Sequence, residues 1–172
     1  MTRSARSLAV ILAALLVLAC GYRFSPGGEH IDPGLKTVYV EPFVNRTSEA
    51  GVENVFRAAF SDWFVKGGRF RLADRAERAD VLWRGSVLSL TTTSLSYRTS
   101  NVAAEERMHV TLDLQFVERE SGRVVWADRA FSGSQDYPLA DSASTESARK
   151  AALSKLSMDT AERAYRMMMS GF

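Results

Sequence analysis

A single cysteine, Cys20, stands at the end of an unbroken apolar run, so no intramolecular disulfide can hold this chain together. Whatever it folds into must rest on a hydrophobic core. The composition allows one: 46% of the 172 residues are apolar, 24% are charged, and there are only 4 prolines. Those values exclude a disordered, collagen-like or disulfide-stapled chain and fit one ordinary globular domain. The apolar run, Leu8 to Ala19, is 12 residues long. As a helix it would reach roughly 18 Å, against a bilayer hydrocarbon core of about 30 Å. Arg3 and Arg6 precede it and no acid does, which is the composition of a secretory signal segment.

Val17-Leu18-Ala19-Cys20 resembles the lipobox of bacterial lipoproteins. The resemblance implies cleavage before Cys20 and a covalent N-acyl diglyceride lipid on its thiol. Lipidation would also remove a reactive free thiol from an oxidising compartment. Three acyl chains exceed the two signals that stable anchoring needs. Gly21, where sorting patterns would place Asp to retain a lipoprotein elsewhere, points to the outer membrane of a Gram-negative cell, with the protein facing the periplasm. The expected organisation is a signal peptide over 1–19, a lipidated tether over 20–35 and one domain over 36–172. Lys and Arg number 22 and Asp and Glu 20; removal of Arg3 and Arg6 leaves 20 of each. A neutral mature chain lacks the cationic surplus of a non-specific nucleic-acid binder, so no nucleic-acid partner is expected.

The domain alternates between strand and helix patterns. Lys36 to Val44 is β-branched and aromatic, with Pro42 near its end, and reads as a strand. Asn45 to Ser48 supplies turn and N-cap chemistry for a following helix. Val52, Val55, Phe56, Ala59, Phe60, Trp63 and Phe64 then fall on one helical stripe, which Gly67-Gly68 ends. A short strand at 69–73 and a charged turn at 74–80 follow. A long strand begins at Val81, and hydroxyl-rich sequence carries it to about Tyr97. Met108, Val110, Leu112, Leu114 and Phe116 alternate with polar residues, the period of a strand with one buried face. Glu118 to Gly122 makes a turn and 123–131 returns. From Ser142 to about Met169 the chain is helical again, with Leu153, Leu156, Thr160, Ala164, Met167 and Met168 on one face beside the small residues Ala148, Ala151 and Ala152. The expected fold is an α/β (α+β) two-layer sandwich: two helices on one face of a mixed, mainly antiparallel sheet of four to five strands.

Catalytic chemistry is not evident. His30 and His109 have no nucleophile in sequence reach. His109 and Asp113 share the polar face of one strand, where solvated side chains are the ordinary case. There is no CxxC, HExxH, calcium-loop, GxGxxG, Walker A or GxSxG pattern. No enzyme, metal or cofactor is expected beyond the lipid on Cys20. The unusual segment is Ser89 to Asn101, rich in Ser and Thr and carrying Arg98. It reads either as a solvated hairpin tip or as a docking edge in which the Arg98 guanidinium meets a phosphate.

Several short stretches together resemble the LptE (RlpB) lipopolysaccharide-assembly lipoproteins. Cys20-Gly-Tyr-Arg-Phe24 is similar to that family's start, Val38 to Thr47 to its first strand and turn, and Phe70 to Asp74 to its second strand. Ala79-Asp-Val-Leu-Trp-Arg-Gly-Ser-Val87 and Gly122-Arg-Val-Val-Trp126 are similar to two of its later strands, and Tyr137 precedes the last helix as a Tyr often does there. The resemblance implies an outer-membrane lipoprotein that plugs and helps assemble an LptD-type β-barrel translocon and assists insertion of lipopolysaccharide into the outer leaflet. It also implies lipopolysaccharide contacts through basic residues near the hairpin tip and before the last helix. Arg98 stands at the first place; around Leu139 to Asp141 this chain has an acid, so Arg98 alone is carried over. The Val38–Thr47 stretch also resembles lipoproteins that activate peptidoglycan synthases or build secretion pores, and a regulator of that kind is the alternative. A lipoprotein hydrolase would need a nucleophile and base that no residues here supply.

Overall fold

The computed structural model of the protein describes residues 30–97, 103–139 and 142–171. Chain order is β1 (Thr37–Val40), β2 (Val44–Asn45), α1 (Val52–Gly67), β3 (Arg71–Leu72), a 3-10 turn (Ala76–Arg78), β4 (Val81–Tyr97), β5 (Ala103–Glu118), β6 (Val124–Pro138) and α2 (Ser142–Ser170). The sheet runs β3-β1-β4-β5-β6, with β2 also on β4. β1 is parallel to β3 and β4, whereas β4, β5 and β6 form an antiparallel meander. This is the expected sandwich with six strands instead of four to five, two of the six being only two residues long.

The extra strand comes from Pro42. Val40 pairs with Trp83 and Val44 with Ser86, so the β1–β2 edge uses one more residue than β4 over the same stretch. Pro42 has no N–H to donate to the ladder, and the surplus residue is taken up there as a break. Phe43 turns inward through that break. Its ring lies over Gly85, where an added Cβ would stand 2.2 Å from the Phe43 Cζ. Gly85 is thus required by close approach.

The core is the helix stripe laid on the alternating strand faces. Phe56, Phe60 and Phe64 of α1 are fully buried, and so are Trp83, Met108, Leu112, Leu114 and Phe116 of the sheet. Trp83 sits at its centre, 5.0 Å from the Phe60 ring, 5.3 Å from Phe64 and 5.8 Å from Trp126, with which it stacks. Val55 and Trp63, at the margins of the helix stripe, are only partly buried. Ile31 and Leu35, from the stretch read as tether, are also in the core. α2 comes closest to the sheet at Gly133, where a Cβ would meet Thr160 Oγ1 at 2.4 Å.

Three boundaries differ from expectation. The N-cap of α1 is Gly51, at φ 82 with no side-chain bond, and not a residue of 45–48. Asn45 closes the turn ahead of the helix instead: its Nδ2 donates to the Glu49 carbonyl and its Oδ1 accepts from the Thr47 N–H and hydroxyl. β5 starts at Ala103 and β6 runs on to Pro138, well past the β-rich sequence. Residues such as Glu105, Glu106 and Asp136 are poor strand formers, but each is held by a partner already in the ladder.

Candidate interaction surface

Every strand of the meander exposes the face turned away from the helices. Because Met108 and Val110 point into the core, Arg107, His109 and Thr111 point out. The register sets them in rows across three strands: Thr91, His109 and Ser134 in one, Thr93, Arg107 and Asp136 in the next. Over these rows the face is rich in hydroxyl and charged side chains. Arg107 grips Asp136 through two parallel bonds, Nε to Oδ1 at 2.6 Å and Nη2 to Oδ2 at 2.7 Å. That grip holds the Asp136 carboxyl below its usual range.

Nearer the other end of this face lies a cleft of about 280 Å³ at the β1–β2 break, lined by Glu41, Pro42, Arg46, Arg84, Asp113 and Gln115 among others. Arg84 Nε pairs with Glu41 at 3.2 Å, and the buried Asp113 Oδ1 has no hydrogen-bond partner among the described residues.

On the helix side of the same hairpin there are two further polar contacts, one between neighbouring strands and one from α2 to a loop. The buried Tyr137 hydroxyl donates to Glu106 Oε2 at 2.5 Å. Burial, then the bond to the Glu106 carboxylate, pushes the phenol upward from its ordinary value. Arg149 of α2 donates to both carboxylate oxygens of Glu49, at 3.1 and 2.6 Å, joining α2 to the loop before α1. The bond from Arg149 holds the Glu49 carboxyl down. Between them, Tyr137 and Pro138 face Ala148, Ala151 and Ala152 across a shallow cleft of about 240 Å³. The small residues of α2 leave an opening here; the close approach to the sheet comes further along, at Gly133.

Of the sequence-derived site residues, Cys20 and Arg98 both lie outside the described residues; Arg98 follows Tyr97, the last described residue of β4. The two histidines are far apart in the fold. His30 lies against Gly171 at the end of α2, whereas His109 is exposed in mid-sheet. Among the described residues, no three His, Cys, Asp or Glu side chains gather closely enough to hold a metal ion. No helix among them is long and apolar enough to cross a membrane. Sequence reasoning did not find the Arg107–Asp136, Tyr137–Glu106 and Arg149–Glu49 pairs. The partners are far apart in the chain and meet only through strand register and helix placement.

The model of the LptE lipopolysaccharide-assembly family matches residues 35–168. Among curated proteins, none matches the chain. Solved structures share the fold at low identity. An uncharacterized lipoprotein B from Nitrosomonas europaea aligns with TM-score 0.55 at 11% identity, over 80% of this chain and 84% of its own. A PelC dodecamer from Paraburkholderia phytofirmans aligns with TM-score 0.52 at 16% identity, over 84% and 94%. A minor lipoprotein from Acinetobacter baumannii aligns with TM-score 0.51 at 13% identity, over 80% and 94%.

Proposed function

The chain belongs to the LptE lipopolysaccharide-assembly family, and from that premise we propose that it is an outer-membrane lipoprotein, acylated at Cys20, that fills the lumen of an LptD-type β-barrel. The action is non-catalytic. A compact domain seated in a wide barrel blocks its lumen, gives the barrel a form to assemble around and guides lipopolysaccharide outward. Such an interface relies on a broad complementary surface more than on one deep pocket.

The observation that carries this reading is the polar outer face of the meander. An outer-membrane barrel is lined by polar side chains. The rows of Thr91, His109 and Ser134, and of Thr93, Arg107 and Asp136, offer donors and acceptors to such a lining without a large apolar patch. The equal count of acids and bases in the mature chain also avoids a single-sign field that would oppose the barrel interior. Arg98, next along the chain from β4, is the side chain proposed to meet a lipopolysaccharide phosphate through its guanidinium fork.

Photo-crosslinking groups placed at Thr93 and at His109, both exposed, test the reading in cells. The expected product at both positions is an adduct with a large outer-membrane β-barrel. Adducts with a soluble periplasmic enzyme, or with further copies of this chain alone, contradict it and favour the regulator or pore reading.

A further inference from the structure

The described chain begins at His30, and that pole of the domain carries a feature that the barrel-facing surface does not explain. Arg69, just beyond α1, donates to the Leu35 carbonyl at 2.9 Å and to the Asp32 carbonyl at 3.2 Å. The turn from α1 into β3 is therefore fastened to the residues through which the N-terminus enters. This turn is basic. Residues 65–78 hold five Lys or Arg and two acids, in a mature chain whose basic and acidic residues are equal in number. Arg75 and Arg78 are engaged by Asp74, but among the described residues Lys66 and Arg71 have no ion pair, and both are exposed.

Apolar side chains stand exposed beside these cations. Val65 is 61% exposed and Leu72 is 40% exposed, two of the five large apolar residues left open to solvent among the described residues. They share one edge of the domain. Arg57, Ser61 and Val65 follow one another at i, i+4 spacing, and Arg57 Nε donates to the Val40 carbonyl, so this flank of α1 overhangs the β1–β3 edge. Leu72 lies on that edge, in register with Val38.

We infer that this edge, with Val65 and Leu72 flanked by Lys66 and Arg71, is a docking surface for the anionic headgroup layer of the membrane in which the protein is anchored. The inference rests on the reading of Cys20 as the lipidated residue. Cys20 and His30 are ten residue-to-residue steps apart. Fully extended, those steps reach at most roughly 36 Å, so the pole that holds His30 stays close to the bilayer surface. A basic edge with two protruding apolar side chains meets such a surface with complementary charge and a small apolar foothold. Docking there fixes which end of the domain lies at the headgroup level and leaves the β4–β5 hairpin at the opposite pole, free to enter a barrel lumen.

The test uses the full lipidated protein reconstituted into vesicles. Cys20 is the only native cysteine, so Val65→Cys and Leu95→Cys variants each accept one fluorescent probe, at the docking edge and near the hairpin end. In vesicles of mixed phosphatidylglycerol and phosphatidylethanolamine carrying a lipid-phase quencher, the probe at position 65 is expected to be quenched and the probe at position 95 to be spared. Phosphatidylcholine vesicles, or added salt, should relieve the quenching. The double reversal Lys66→Glu with Arg71→Glu should shift the docking equilibrium by roughly tenfold or more, with an unchanged circular dichroism spectrum. Equal quenching at the two positions, or quenching that survives charge reversal, overturns the inference. So does a probe at position 65 that is shielded only when a β-barrel is co-reconstituted, which would assign the edge to a protein. Mass spectrometry of the N-terminal peptide separates the two levels: an unacylated Cys20 removes the anchor reading and this inference with it, whereas an acylated Cys20 with no quenching removes the docking surface alone.

Discussion

Among the described carboxylates, Asp80 carries a dense set of hydrogen bonds. Its Oδ2 accepts from the Lys36 and Thr37 backbone N–H groups and from the Thr37 hydroxyl, each at 2.8 Å, and its own N–H returns a bond to Thr37 Oγ1 at 2.9 Å. These bonds close the entry of β1 onto the entry of β4, so the Ala79-Asp80 motif is explained by architecture and needs no catalytic role. The bond from the Lys36 N–H is the largest cause of an Asp80 pKa below its ordinary value, opposed by burial and assisted by Thr37. A carboxyl with a depressed folded-state pKa adds stability above its unfolded value, about 3.9, and that stability is lost as pH falls through the lower folded-state value. Asp80→Asn should therefore lower stability near neutral pH by roughly 1–3 kcal/mol. Its deficit against the parent should shrink as the pH falls below about 4. Urea unfolding across that pH range checks both statements; a constant deficit would deny the carboxylate its role.

At the scale of elements, the helix stripe and the period-2 strand were legible because each is a local pattern that tertiary packing reinforces. Phe56, Phe60 and Phe64 are buried where the 3.6-residue spacing put them, and Met108 to Phe116 alternate as read. The failures were places where a non-local partner decided the outcome. Pro42 divided one expected strand into two because the β4 ladder continues past it on the same side. Glu105 to Arg107 and Ser132 to Pro138 became strand only through mutual pairing. Asn45 held a turn where it was read as a possible helix cap. The β1–β2 break carries a prediction of its own. Phe43 occupies the space that a side chain at Gly85 would need, so Gly85→Ala must displace a buried ring. The expected loss is about 1–3 kcal/mol, the range for overpacking a filled core, read as a lower urea midpoint with an unchanged slope. Phe43→Leu with Gly85→Ala should recover part of the loss if the clash is the cause. Failure of that rescue would point to backbone strain instead.

For the molecule as a whole, the sequence carried the sandwich and the family but not the arrangement of the surface. Of the two residues named from sequence, Cys20 is proposed to carry the lipid and Arg98 to meet lipopolysaccharide beyond the hairpin. Between them the fold supplies what sequence spacing could not reveal, the rows of polar side chains across β4, β5 and β6 and the basic edge beside the N-terminal entry. A lumen-filling role makes the most direct demand on composition of the native complex. Purification of the lipidated protein from outer membranes by a C-terminal tag, followed by mass spectrometry of what accompanies it, should yield one large β-barrel in a one-to-one ratio. Recovery of a peptidoglycan synthase, or of the lipoprotein alone or as a ring of its own copies, would contradict the account.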